Sequence, residues 1–113
     1  LKPSLLLDLQ KVKNVVAKGY PNHGFYNLGY HTRRPPLNDP AFRKAIAHGI
    51  PKELIIEAIL SGLADPGGSV IAPANKFWHN PAVKSFPEDI EKAKKILAEA
   101  GYTWKKGKLH YPA

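Results

Sequence analysis

The sequence predicts an α+β fold with three main helices and a small antiparallel β-hairpin. Three observations carry that prediction. Three segments place apolar residues at helical spacing between recognisable start and stop signals. One aromatic segment alternates with a period of two. Proline and glycine clusters separate all of them.

The elements follow in chain order. Residues 3–11 read as a short helix, with Pro3 suited to a first turn and Leu5, Leu6 and Leu9 on one side. Asn14 and Gly19 bracket Val15-Val16-Ala17, a short strand. Tyr20-Pro21-Asn22-His23-Gly24 has turn chemistry, because Pro fixes φ while Gly and Asn tolerate φ > 0. Phe25 to Thr32 is then an aromatic strand, and the two strands pair as a hairpin.

Arg33-Arg34-Pro35-Pro36 leaves the strand, since prolines cannot donate to a ladder. Asp39 is a natural N-cap and Pro40 fits the first helical position. Phe42, Ala45, Ile46 and Gly49 share one face of the helix that follows. Pro51 opens a second helix to about Leu60, with Leu54, Ile55, Ala58 and Ile59 inward and Gly62 as its C-terminal cap. Residues 63–84 form a long connection with a Gly67-Gly68 pair; loops of this length are often functional. Within it, Phe77-Trp78-His79 reads as an aromatic anchor folding the loop down, with a ligand contact as the other reading. The third helix begins either at a Ser85–Glu88 capping box or at an Asp89 cap one turn later. It buries Ile90, Ala93, Leu97 and Ala100, and Gly101 ends it. Lys108 to Tyr111 forms a last strand.

Composition narrows the functional classes. The chain has 113 residues, enough for one domain or an excised piece of one. It contains no cysteine, which excludes disulfides and thiolate metal sites. No apolar run approaches the ~20 residues needed to span a bilayer. The net charge of +8 suggests a nucleic-acid partner, so a small basic nucleic-acid-binding module is the alternative function. Its distribution argues against that. Lys outnumbers Arg fourteen to three, and the excess sits at both ends rather than along one element. Groove readers favour Arg forks.

Catalysis by this chain is not expected. Its five histidines, at positions 23, 31, 48, 79 and 110, never stand three or four apart, so no pair forms a helical metal face. No phosphate-cradling loop and no nucleophile elbow is present. No catalytic residue, metal ligand or cofactor is assigned. The aromatic strand is the candidate binding element. Phe25, Asn27 and Gly29 face one way and Tyr26, Leu28 and Tyr30 the other, a pattern that suits either lining a cleft or packing one face on helices with the other covered.

An ordered set of motifs then stands out: Tyr30-His31-Thr32, Pro36-Leu37-Asn38-Asp39, Arg43-Lys44-Ala45-Ile46-Ala47, Ile50-Pro51-Lys52-Glu53-Leu54-Ile55, Gly62, and Asp89-Ile90-Glu91-Lys92-Ala93-Lys94-Lys95-Ile96-Leu97-Ala98-Glu99-Ala100-Gly101. In order and spacing this resembles the family 5 extracellular solute-binding proteins, the oligopeptide, dipeptide and nickel class that feeds ABC importers. His31 stands where Asn is usual, Pro51 replaces a capping Asp, and Ile90 replaces a common Pro.

The resemblance implies a periplasmic-binding-protein-like (type II) lobe fragment. Residues 1–32 would supply a short helix and hinge-type hairpin, and residues 33–113 the helical part of the ligand-binding lobe. It implies a two-lobed protein at the periplasmic or extracellular face that closes on a peptide or other small solute. That protein delivers its cargo to permease subunits and meets the membrane only indirectly. The ligand contacts of peptide-binding members fall here at Asn27 and Gly29, with Phe25 on the same face; many members carry Tyr at the position of Asn27. The expected ligand affinity of the 113 residues alone is weak or nil.

Overall fold

The computed structural model describes residues 3–112. Its elements are α1 (Pro3–Gln10), α2 (Pro40–Gly49), α3 (Lys52–Leu60), α4 (Ile90–Glu99), β1 (Thr103–Lys105) and β2 (Lys108–His110). The chain divides into two units. The first runs to Asn27 and resumes over Lys52–Ser85; the second holds Leu28–Pro51 and everything from Phe86.

The second unit is built on α2 and α4. Asp39 caps α2, its Oδ1 accepting the Ala41 amide at 2.8 Å. Asp89 caps α4 by accepting the Lys92 amide at 2.8 Å, so the start lies at Asp89 and not at Ser85. At its far end α4 closes with Gly101 at φ +85°, the Gly101 amide bonding the Ala98 carbonyl and the Tyr102 amide bonding the Leu97 carbonyl. This paired arrangement needs a left-handed residue, which glycine supplies without a Cβ clash.

Two polar clasps join the helices. The Tyr102 hydroxyl donates to Asp39 Oδ2 at 2.8 Å, tying the residue before α2 to the chain just past α4. At the other end of α2, His48 Nδ1 lies 2.8 Å from the Pro87 carbonyl, and the Asp89 amide donates to the His48 carbonyl at 2.8 Å. A carbonyl only accepts, so Nδ1 carries the proton. The start of α2 thus meets the end of α4 and the reverse, and the helices run antiparallel. Ala45, Ala93, Tyr102 and His48 are the buried residues among those described, and all four belong to this unit. The ring of Phe42 packs on Tyr102 with centroids 5.7 Å apart, and Phe86 meets His48 edge-on at 5.3 Å.

The Asp39–Tyr102 pair is electrostatically coupled. The Tyr102 hydrogen bond, with that from the Ala41 amide, holds the Asp39 carboxyl below its ordinary range. Burial, reinforced by the carboxylate, pushes the Tyr102 hydroxyl up to about 12.

The antiparallel hairpin lies elsewhere than the sequence suggested. It pairs β1 with β2, in the register Thr103↔His110, Trp104↔Leu109 and Lys105↔Lys108. Residues 15–20 and 24–31 join no ladder, so the expected hairpin over 15–32 is not formed. Strand composition sets a local propensity; a ladder also needs a partner in register.

The first unit contains α1, α3 and the long connection, and no residue described in it is buried. The expected inward face of α3 is open: Leu54, Ile55, Ala58 and Ile59 are exposed, while Ile56 and Leu60 are half-buried. Helical periodicity identifies an apolar face without supplying what covers it. In the connection, a Cβ on Gly68 would overlap the Val83 carbonyl, so the glycine lets the two ends of the loop close on each other.

Candidate functional site

The candidate residues stand on the segment from Gly24 to His31, which belongs to no helix or strand. Asn22 fixes its entry, its side chain accepting the Gly24 amide at 2.7 Å. Its exit passes into a turn where the Asn38 amide bonds the Arg34 carbonyl. Phe25 and Asn27 belong to the first unit and Gly29 to the second. All three are exposed, with Phe25 51% accessible. A Cβ on Gly29 would meet nothing within 4 Å, so the absent side chain leaves open surface there.

Among the described residues, the backbone amides and carbonyls from 25 to 31 make no hydrogen bond. Each peptide group carries a donor and an acceptor that need partners when water is excluded. A backbone that joins no ladder therefore leaves these groups available to a ligand.

The Phe77–Trp78 pair does not anchor the long loop. Phe77 is 83% and Trp78 67% exposed, and their rings pack edge-on against each other at 4.8 Å. Instead the loop is held by polar contacts: His79 Nδ1 bonds the Ile71 carbonyl at 2.9 Å, and the Asn75 side chain accepts the Trp78 amide at 3.3 Å. His79 and His48 thus both serve as structural clasps. A structural or surface role is the expected one for each histidine, but the partners, backbone carbonyls eight and thirty-nine residues away, are not legible in the sequence.

The comparisons with known proteins decide the family. The model of the bacterial extracellular solute-binding proteins, family 5 (middle region), matches residues 1–111. The chain belongs to this family. It is 29% identical over 100 residues to the dipeptide-binding protein of Escherichia coli, covering 88% of this chain and 18% of that one. It is 33% identical over 76 residues to heme-binding protein A of Haemophilus influenzae, covering 66% of this chain and 14% of that one. Among solved structures it resembles NikA from Brucella suis in complex with Fe(III)-EDTA, at a TM-score of 0.61 and 25% identity, over 93% of this chain and 21% of that one. It also resembles the Thermus thermophilus oligopeptide-binding protein complexed with a pentapeptide, at a TM-score of 0.54 and 32% identity, over 66% of this chain and 14% of that one. The chain therefore spans about a fifth or less of the length of these relatives, and its fold is that of a periplasmic-binding-protein segment.

Proposed function

We propose that this chain is a section of a longer solute-binding protein that captures peptides outside the cell membrane and hands them to the permease of an ABC importer. Recognition is non-covalent, and no step of catalysis is assigned to these residues. The observation that carries the reading is the free backbone of residues 25–31 in a chain that belongs to family 5. Relatives whose names record dipeptide, glutathione and pentapeptide ligands favour peptide as the cargo.

In this reading the ligand lies along the segment as an added strand. Asn27 offers a carboxamide that donates and accepts, matching a peptide group. Phe25 supplies an apolar wall, and Gly29 keeps the approach open. The exposed apolar face of α3 and the unburied first unit fit a segment whose core is completed by the rest of a larger protein.

The test is calorimetric titration of the longer parent protein with peptides of two to five residues. Saturable binding that Asn27→Ala weakens about tenfold, equivalent to the loss of one hydrogen bond, supports the reading. Absence of peptide binding, or binding that Asn27→Ala and Gly29→Val both leave unchanged, overturns it.

A further inference from the structure

Residues 25–31 make no backbone hydrogen bond, so the course of the Gly29 end is set where the chain is next held. That place is the connector 34–39, in the same unit as Leu28 to His31 and α2. The connector first closes on itself. The Asn38 amide donates to the Arg34 carbonyl and the Asp39 amide to the Pro36 carbonyl, each at 3.1 Å. These bonds shape the turn without fastening it to a helix.

Two contacts do fasten it. Asp39 pins its last residue, as the cap of α2 and the acceptor of the Tyr102 hydroxyl. Arg43, half-buried, reaches back from α2, and its Nη1 donates to the Leu37 carbonyl at 2.7 Å. A turn pinned at Asp39 alone can swivel about that residue; a second pin at Leu37 stops the rotation. The bond is charge-assisted, and so among the stronger hydrogen bonds a carbonyl accepts. Its donor also stands where helix electrostatics disfavour a cation. Arg43 is the fourth residue of α2, near the positive end of the helix dipole, in a helix whose first turn holds no acid. The carbonyl it holds accounts for a guanidinium at that position.

We propose that Arg43 is a positioning residue for the ligand segment: through the Leu37 carbonyl it fixes the direction in which the chain at Gly29 meets a bound peptide. The proposal rests on the reading that residues 25–31 bind peptide. Arg43 itself touches no ligand in this account. It acts by keeping the free segment in the pose that binding needs, which lowers the cost of ordering it.

The test uses the longer parent protein, at a temperature where circular dichroism shows each variant folded, and follows peptide binding by stopped flow. Arg43→Met keeps the aliphatic stem and removes the donor. With the freed segment in the binding pose about a tenth of the time, association slows about tenfold while dissociation stays within about twofold. Asn27→Ala, which loses a direct contact, should instead speed dissociation. His48→Leu loosens the other end of α2 and should change neither rate, so a general loss of stability does not imitate the effect. Without peptide, hydrogen exchange at the Asn38 and Asp39 amides should quicken in Arg43→Met. Arg43→Lys keeps a charged donor without the planar fork and should associate about threefold more slowly; where Arg43→Met does not fold, this variant decides. A wild-type association rate in the folded Arg43 variants, a loss carried by dissociation, unchanged exchange at Asn38 and Asp39, or an equal loss in His48→Leu overturns the inference and leaves the peptide reading standing. A parent protein that binds no peptide overturns both.

Discussion

Tyr102 and Asp39, sixty-three residues apart in sequence, are joined by a 2.8 Å hydrogen bond from the phenol to a carboxylate that also caps α2. One acidic side chain thus performs two tasks. Oδ1 satisfies an amide at the helix start, and Oδ2 holds the first residue past the glycine turn of α4.

Removing either partner has a calculable cost. Tyr102→Phe keeps the ring packing on Phe42 and should cost about 1–3 kcal/mol for a hydrogen bond to a charged group. Asp39→Ala should cost more, since about 1 kcal/mol of capping is lost as well. Urea denaturation of the two single variants and the double one gives the coupling, expected at about 1–2 kcal/mol.

The same pair sets a pH dependence at both extremes. The folded carboxyl of Asp39 lies below its unfolded value of 3.8, so its contribution is present above that pH and is lost as pH falls through the folded value. The Tyr102 hydroxyl is raised from 10.0 to about 12, so its contribution is complete below pH 10 and is lost as pH rises toward 12. Phenolate absorbance against pH should show one late-titrating tyrosine that moves earlier in Asp39→Asn.

His48 is a donor in a buried position, 2% exposed. His48→Leu removes the proton aimed at the Pro87 carbonyl and should cost about 2–3 kcal/mol in thermal or urea unfolding. His48→Gln, which retains an N–H donor, should recover part of that loss.

Gly101 takes a left-handed φ of +85°, and an added Cβ would approach Pro112 Cβ to 3.2 Å. Gly101→Ala should therefore destabilise by about 1 kcal/mol or more, measured by denaturation midpoint. Gly29→Ala, at a position with open space, should change stability by less than about 0.5 kcal/mol.

What could be read from the sequence was local. The caps at Asp39 and Asp89, Pro40 at the first helical position, and the stop at Gly101 depend on neighbours within one turn. So in part does the apolar stripe of α4: Ala93 is buried, Leu97 and Ala100 half-buried and Lys92, Lys94 and Lys95 exposed, but Ile90, expected to be buried, is 46% exposed. The rest required distant partners. Val15-Val16-Ala17 and Phe25 to Thr32 have strand composition, yet no ladder joins them. The hairpin that does form is signalled by Gly107 between two short alternating runs, Thr103-Trp104-Lys105 and Lys108-Leu109-His110. Tyr102 drew no notice, since its importance lies wholly in where Gly101 sends it. At the candidate site, the expected strand over Phe25 to Thr32 is not formed, and the free backbone there is a fact of tertiary structure.

Backbone hydrogen exchange of the peptide-saturated parent protein tests the central claim most directly. Amides in residues 25–29, unbonded within the chain, should exchange quickly without ligand and become protected when peptide adds alongside them. Tight peptide binding that leaves these amides as fast as before would contradict it.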